Sequence, residues 1–125
     1  MLFSRKAGGL LFVDRGARVA HDFNDTDLTI DDGIHTLDMS AIVPATAKII
    51  VVACGTKNPT VGPTTRIAPV GYNPQINGLQ LCACVANMQT WGEVLVKVTT
   101  GIGIDYMVDS GGTPNIYIDV EGWFV

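Results

Sequence analysis

Hydrophobic and polar residues alternate in period two along several stretches of this chain, as in strands with one face on a core and the other in water. In "EVLVKVT", Val94, Val96 and Val98 fall on one side, and Glu93, Leu95 and Lys97 on the other. Ile104, Tyr106 and Val108 oppose Asp105 and Met107 in the same way. The final stretch "NIYIDVEGWFV" sets Ile116, Ile118 and Val120 against Tyr117, Asp119 and Glu121. The valine and isoleucine sets are the expected core. Two places break the alternation by being apolar on both faces: "IIVVAC", Ile49 to Cys54, and Trp123, Phe124 and Val125 after Gly122. An ordinary two-layer sandwich wets the outer face of each sheet, so both places predict extra cover. For the terminal strand the expectation is a central position in a sheet, helped by a neighbouring subunit. For Ile49–Cys54 it is the N-terminal arm or another subunit.

No stretch has the period of a long amphipathic helix. Candidate strands instead follow one another between Gly, Pro, Asn and Asp: 10–13, 19–23, 28–30, 34–38, 48–56, 64–70, 79–86, 93–99, 104–108 and 116–124. Many short strands predict an all-β sandwich or barrel. "DDG" at Asp31–Gly33 predicts a tight hairpin turn and "SGGTPN" a looser one, while "KNPTVGPTT" and "VGYNPQING" are loops expected at the sandwich ends. In "TLDMSAIVPATAK" a strand ends at Asp38 and Ser40 bonds the local backbone. Ile42 and Val43 then plug the core, Pro44 blocks a ladder bond, and the next strand starts at Lys48.

The 125 residues leave room for one domain, residues 10–125, behind an arm of residues 1–9. Hydrophobic residues make up 47% and charged residues 16%, below the roughly 25% charge usual in soluble domains. That shortage predicts that other protein covers part of the surface. The net charge is −4, and the eight Lys and Arg form no basic footprint, so nucleic acid is not an expected partner. Nor is a membrane, since no apolar run approaches the roughly 20 residues that span a bilayer. The opening "MLFSRKAGG" joins Leu2 and Phe3 to the basic pair Arg5 and Lys6 through to a Gly8-Gly9 joint, and predicts an arm that docks on a neighbour. Cys54, Cys82 and Cys84 cannot all pair in one chain and lack zinc spacing, so they are expected to be small buried thiols in a reducing compartment.

The segment Leu37, Asp38, Met39, Ser40, Ile42, Val43, Pro44, Ala45, Ala47 and Lys48, with Val120, Gly122, Trp123 and Phe124, resembles small jelly-roll proteins encoded among tailed-phage and other viral structural genes. The resemblance implies an antiparallel β-sandwich of jelly-roll type. It also implies a non-enzymatic virion component, such as a capsid decoration protein or a head or tail fibre module. Its expected partners are itself, as a homo-oligomer and most simply a trimer, and the major capsid or other virion proteins. Its expected location is the virion, assembled in the host cytoplasm.

Candidate chemistry is sparse. His21 stands beside Asp22 and His35 lies in "DGIHTLD", but neither has a nucleophile in view, so no catalytic residue is expected. The acidic stretch Asp22, Asp25, Asp27, Asp31 and Asp32 lacks the glycine and terminal glutamate of a calcium loop and suits a solvated turn; no metal or cofactor is expected. Interface candidates are Ile49, Val51, Trp91, Trp123, Phe124 and Val125. The alternative function is a carbohydrate-binding attachment module, using Tyr72 flanked by Asn73 and Gln75. The two differ in whether loop aromatics point into an interface or out to solvent.

Overall fold

The alternating stretches form strands, and the strands gather into two antiparallel sheets packed face to face. The computed structural model describes residues 2–3 and 9–125. In chain order the strands are β1 (Leu2–Phe3), β2 (Phe12–Asp14), β3 (Phe23–Asn24), β4 (Ile34–Asp38), β5 (Ile49–Lys57), β6 (Thr64–Pro69), β7 (Leu79–Cys82), β8 (Thr90–Lys97), β9 (Gly103–Val108) and β10 (Asn115–Phe124). One sheet runs β1-β2-β10-β5-β8 with β3 also paired to β10, and the other runs β4-β9-β6-β7. The pairing is nested: β6 with β7, β5 with β8, β4 with β9 and β3 with β10. Bonds between β10 and β5 and between β9 and β6 then join these pairs into sheets.

The core is the set the alternation marks. Val96, Ile104, Val108, Ile116, Ile118 and Val120 are buried, and Ile50, Val52 and Ile67 belong to the same buried cluster. Met39 and Val43 close one end; Ile42 packs beside them half-buried, and it is Asp38 rather than Ser40 whose side chain accepts a local backbone N–H, from Ser40.

The terminal strand is central, with β5 along one edge and β3 and β2 along the other. Between Val120 and Gly122 its register against β5 shifts at a bulge. Beyond the bulge Trp123 packs against the core, while Phe124 meets Phe12 with ring centroids 5.1 Å apart. Gly122 is required at this crossing, because a Cβ would lie 2.4 Å from the Val13 carbonyl oxygen. Val125 and Leu11 exchange two backbone hydrogen bonds.

Several sequence expectations change, among them the looser hairpin turn at "SGGTPN", which instead carries the chain from β9 in one sheet to β10 in the other. Residues 19–22 are not strand: Val19 is fully exposed, and only Phe23–Asn24 pairs with β10. Leu28–Ile30 forms no strand, so Asp31–Gly33 is not a hairpin turn. Asp32 instead adopts a left-handed conformation (φ 66°), and its carboxylate takes the N–H and hydroxyl of Ser110. Trp91 lies inside β8 rather than before it. The last change concerns the thiols. β7 stops at Cys82, and Cys84 is exposed while Cys54 is buried; all three are free.

Burial, with the negative charge of Asp119, pushes the Cys54 thiol up to about 12. Iodoacetamide at pH 8 should therefore modify Cys84 in the native protein and reach Cys54 only after unfolding, which intact mass and peptide mapping would read. Native labelling of Cys54 at the rate of Cys84 would contradict this placement.

Candidate functional site

On the outer edge of β10, β3 pairs with Tyr117 and Ile118 and β2 with Gly122 to Phe124. Among the described residues no strand lies beside Asp119–Glu121 on this edge, because the chain leaves the sheet at Asp14 and returns only at Phe23. Its backbone groups are satisfied by side chains of the intervening loop. The Val120 N–H donates to the Asp22 carboxylate at 2.8 Å. The Val120 carbonyl accepts from Arg18 at 3.1 Å and Arg15 at 3.3 Å. Arg15 also pairs directly with Asp22, and its own backbone N–H donates to the Glu121 carbonyl at 3.1 Å. Buried backbone groups need partners, and here a salt-bridged loop takes the place of a strand.

Asp119 is the inner anchor of this cluster. Its side chain is 3% exposed. One oxygen accepts the Asp22 backbone N–H at 2.8 Å; the other lies 2.8 Å from His21 Nδ1 and 3.7 Å from Arg18. With Asp119 ionised, Nδ1 carries the proton and donates, which leaves Nε2 turned away from the carboxylate. Arg18 also reaches the Glu121 carboxylate at 3.3 Å.

Burial alone raises the pKa of Asp22, but the hydrogen bonds from Arg15 and the Val120 N–H, with the positive charges of Arg15 and Arg18, outweigh it and hold it below the usual carboxylate value. A folded pKa below the unfolded one stabilises at neutral pH. The contribution is complete above the pKa of an unfolded aspartate, about 3.9, and is lost as pH falls through the lower folded value. The urea midpoint of Asp22→Asn should thus lie below that of the parent at pH 7, and the gap should narrow by pH 3. A gap that does not depend on pH would contradict it.

Beside this cluster three rings lie nearly parallel. His21 stacks on Tyr117 at 4.0 Å between centroids and 22°, and Trp91 lies 6.3 Å from Tyr117 at 11° and 5.8 Å from His21. The sequence sets this up: Trp91 and Tyr117 both pair with Gly55, one from β8 and one from β10. A Cβ on Gly55 would come within 2.8 Å of the indole, so glycine lets the ring lie down across β5. Trp91 is nevertheless 48% exposed. An open depression of about 560 Å³ is lined by Trp91, Glu93, Ala53, His21, Arg18 and Glu121, among others.

The expected interface residues are dispersed. Ile49, Val51 and Phe124 are half-buried; Ile49 pairs with Lys97 and Phe124, and Val51 with the exposed Leu95. Trp123 packs inward, and Val125 is tied to Leu11. Leu2 and Phe3 pair with Val13 and Phe12, whereas Arg5 and Lys6 lie outside the described residues. Tyr72, Asn73 and Gln75 sit in the β6–β7 loop, at the opposite end of the sandwich from Trp91. There the Asn73 side chain accepts the Gln75 N–H at 2.9 Å and serves the turn.

The acidic stretch divides between local turns and partners far along the chain, as Asp22 does with Val120. Asn24 and Asp27 cap the 3-10 turn, Asp31 bonds His35 at 2.7 Å, and Asp32 holds Ser110. Among the described residues no three His, Cys, Asp or Glu side chains converge as a metal site. Both histidines bond to carboxylates, and among the described residues no hydroxyl or thiol is hydrogen-bonded to either. Sequence reasoning missed the His21–Asp119 pair, noting only that Asp22 follows His21 in the chain. The one available signal was that Tyr117, Asp119 and Glu121 share a face. Comparisons with protein-family models, curated proteins and solved structures find no match to this chain.

Proposed function

We propose that this chain is a non-enzymatic structural protein of a virion, a jelly-roll capsid decoration or head- or tail-associated module that assembles as a homotrimer. The observation that carries this reading is the strand order. A jelly roll is one long nested hairpin wound into two four-stranded sheets. The four nested pairs here, and the orders β3-β10-β5-β8 and β4-β9-β6-β7, support a jelly-roll reading. β2 extends the line of β3 along the same edge of β10. The motif resemblance in residues 37–48 and 120–124 supports the viral assignment.

Assembly is supported by the outer face of the first sheet, where Leu95 stands 62% exposed opposite half-buried Val51 and Ile49 follows one row on. Apolar side chains placed side by side on an outer face are stabilised when a second subunit removes them from water. Light scattering at micromolar concentration should give three times the 13.3 kDa chain mass, and Leu95→Glu should shift it toward monomer. The protein should also co-sediment with the particles encoded beside it. A monomer at every concentration, free of particles, would overturn the reading.

A further inference from the structure

The depression around Trp91 has a floor, walls and polar groups that the assembly role leaves unused. We propose that it binds a neutral hexopyranose, the end or a branch of a glycan, stacked on the Trp91 indole. Three features select this chemistry.

The indole is held flat by Gly55 on one side and open to the depression on the other. The apolar C–H face of a pyranose fits such a surface, and tryptophan offers a large apolar face with little conformational entropy to lose.

The three rings are within 26° of parallel. They make a platform and a step. A quaternary ammonium needs rings set as the walls of a box, so the arrangement disfavours a cation cage.

The polar groups beside the platform suit hydroxyls. Glu93 follows Trp91 on the same outward face of β8, and Glu121 lies across the depression; both carboxylates accept hydrogen bonds from sugar hydroxyls. His21, fixed by Asp119 through Nδ1, presents Nε2 as a further partner. With Glu93, Glu121 and buried Asp119 against Arg18, the site carries excess negative charge and rejects sialic and uronic acids. The site is distinct from Tyr72, Asn73 and Gln75, and its Trp91 lies four residue pairs from Leu95 along β8.

The test is titration of the full-length protein with glucose, galactose, mannose and N-acetylglucosamine, with sialic acid and tetramethylammonium as contrasting probes. Ligand-observed NMR and tryptophan emission would read it. At least one neutral hexose should bind saturably with a Kd of about 1 mM, typical of a single small ligand on an open site. Trp91→Ala should weaken it at least tenfold and Glu93→Gln measurably, with both variants still folded at the assay temperature and their assembled mass unchanged; Tyr72→Ala should have no effect. A hexose that still binds Trp91→Ala, binding by tetramethylammonium or sialic acid alone, or no saturable binding would overturn the proposal. So would a Trp91 indole shielded from acrylamide quenching in the assembled protein. Assembled mass is recorded on the same samples, so failure of this site and failure of trimer assembly give different results.

Discussion

An Ile118→Ala protein should lose about 4 kcal/mol of stability, within the range of about 2–5 kcal/mol seen when a large aliphatic side chain is cut back in a packed core. Ile118 is fully buried, pairs with Phe23 on one side and Cys54 on the other, and belongs to the strand at the middle of the first sheet. Neighbouring side chains from both sheets hemmed in this way relax little, so the cavity stays open. A small domain has only about 5–15 kcal/mol in total, so the loss threatens folding at growth temperature. Urea unfolding would measure it, and a loss under 1 kcal/mol would show that the site collapses or that β10 is not central.

One residue further along, on the opposite face, Asp119→Ala should cost about 3 kcal/mol for a different reason. Asp119 is 2% exposed, and its carboxylate takes the Asp22 N–H and the His21 imidazole while facing Arg18. Removing it leaves donors and a cation without their acceptor, and an abandoned partner costs more than the pair was worth. Asp119→Asn keeps one acceptor for the Asp22 N–H and should cost clearly less. If alanine and asparagine are equal, hydrogen bonding by Asp119 contributes little and the loop is held by Arg15 and Asp22 alone. Neither variant touches the nested pairing, so circular dichroism should retain the β signature in whatever fraction stays folded.

These two neighbours also mark how far the sequence could be followed. Ile118 was legible, because inward positions repeat every second residue and their neighbours across the core are apolar in the same rhythm. Asp119 was not. Alternation puts it on the polar side, where burial depends on which loop folds over it, and the loop that does so carries Arg15, Arg18, His21 and Asp22 from the far end of the chain. Asp105 follows the same rule: read as outward, it is buried beneath Thr36 and the Gly71 N–H. Residues 19–22 looked like a strand because they run from Val19 up to Phe23, both strand-forming residue types, yet side-chain bonds fill the edge that a ladder would have used. The flat Trp91 was hidden for another reason. Its partner is a glycine, and a missing side chain leaves no trace in a hydrophobic pattern.

The nested pairing also dictates an order of assembly in time. Of the four nested pairs, β6 and β7 are nearest in sequence and close the shortest loop, whereas β3 meets β10 across most of the chain. Loop closure costs more entropy as the loop lengthens, so the structure should zip outward from the β6–β7 hairpin and close last at β3 and β10. During synthesis β5, apolar on both faces, must wait for β10, made after every other described strand, before that edge is covered. Over that interval the nascent chain carries an open apolar edge, and a molecular chaperone or a rapid synthesis of the last strands would decide its yield.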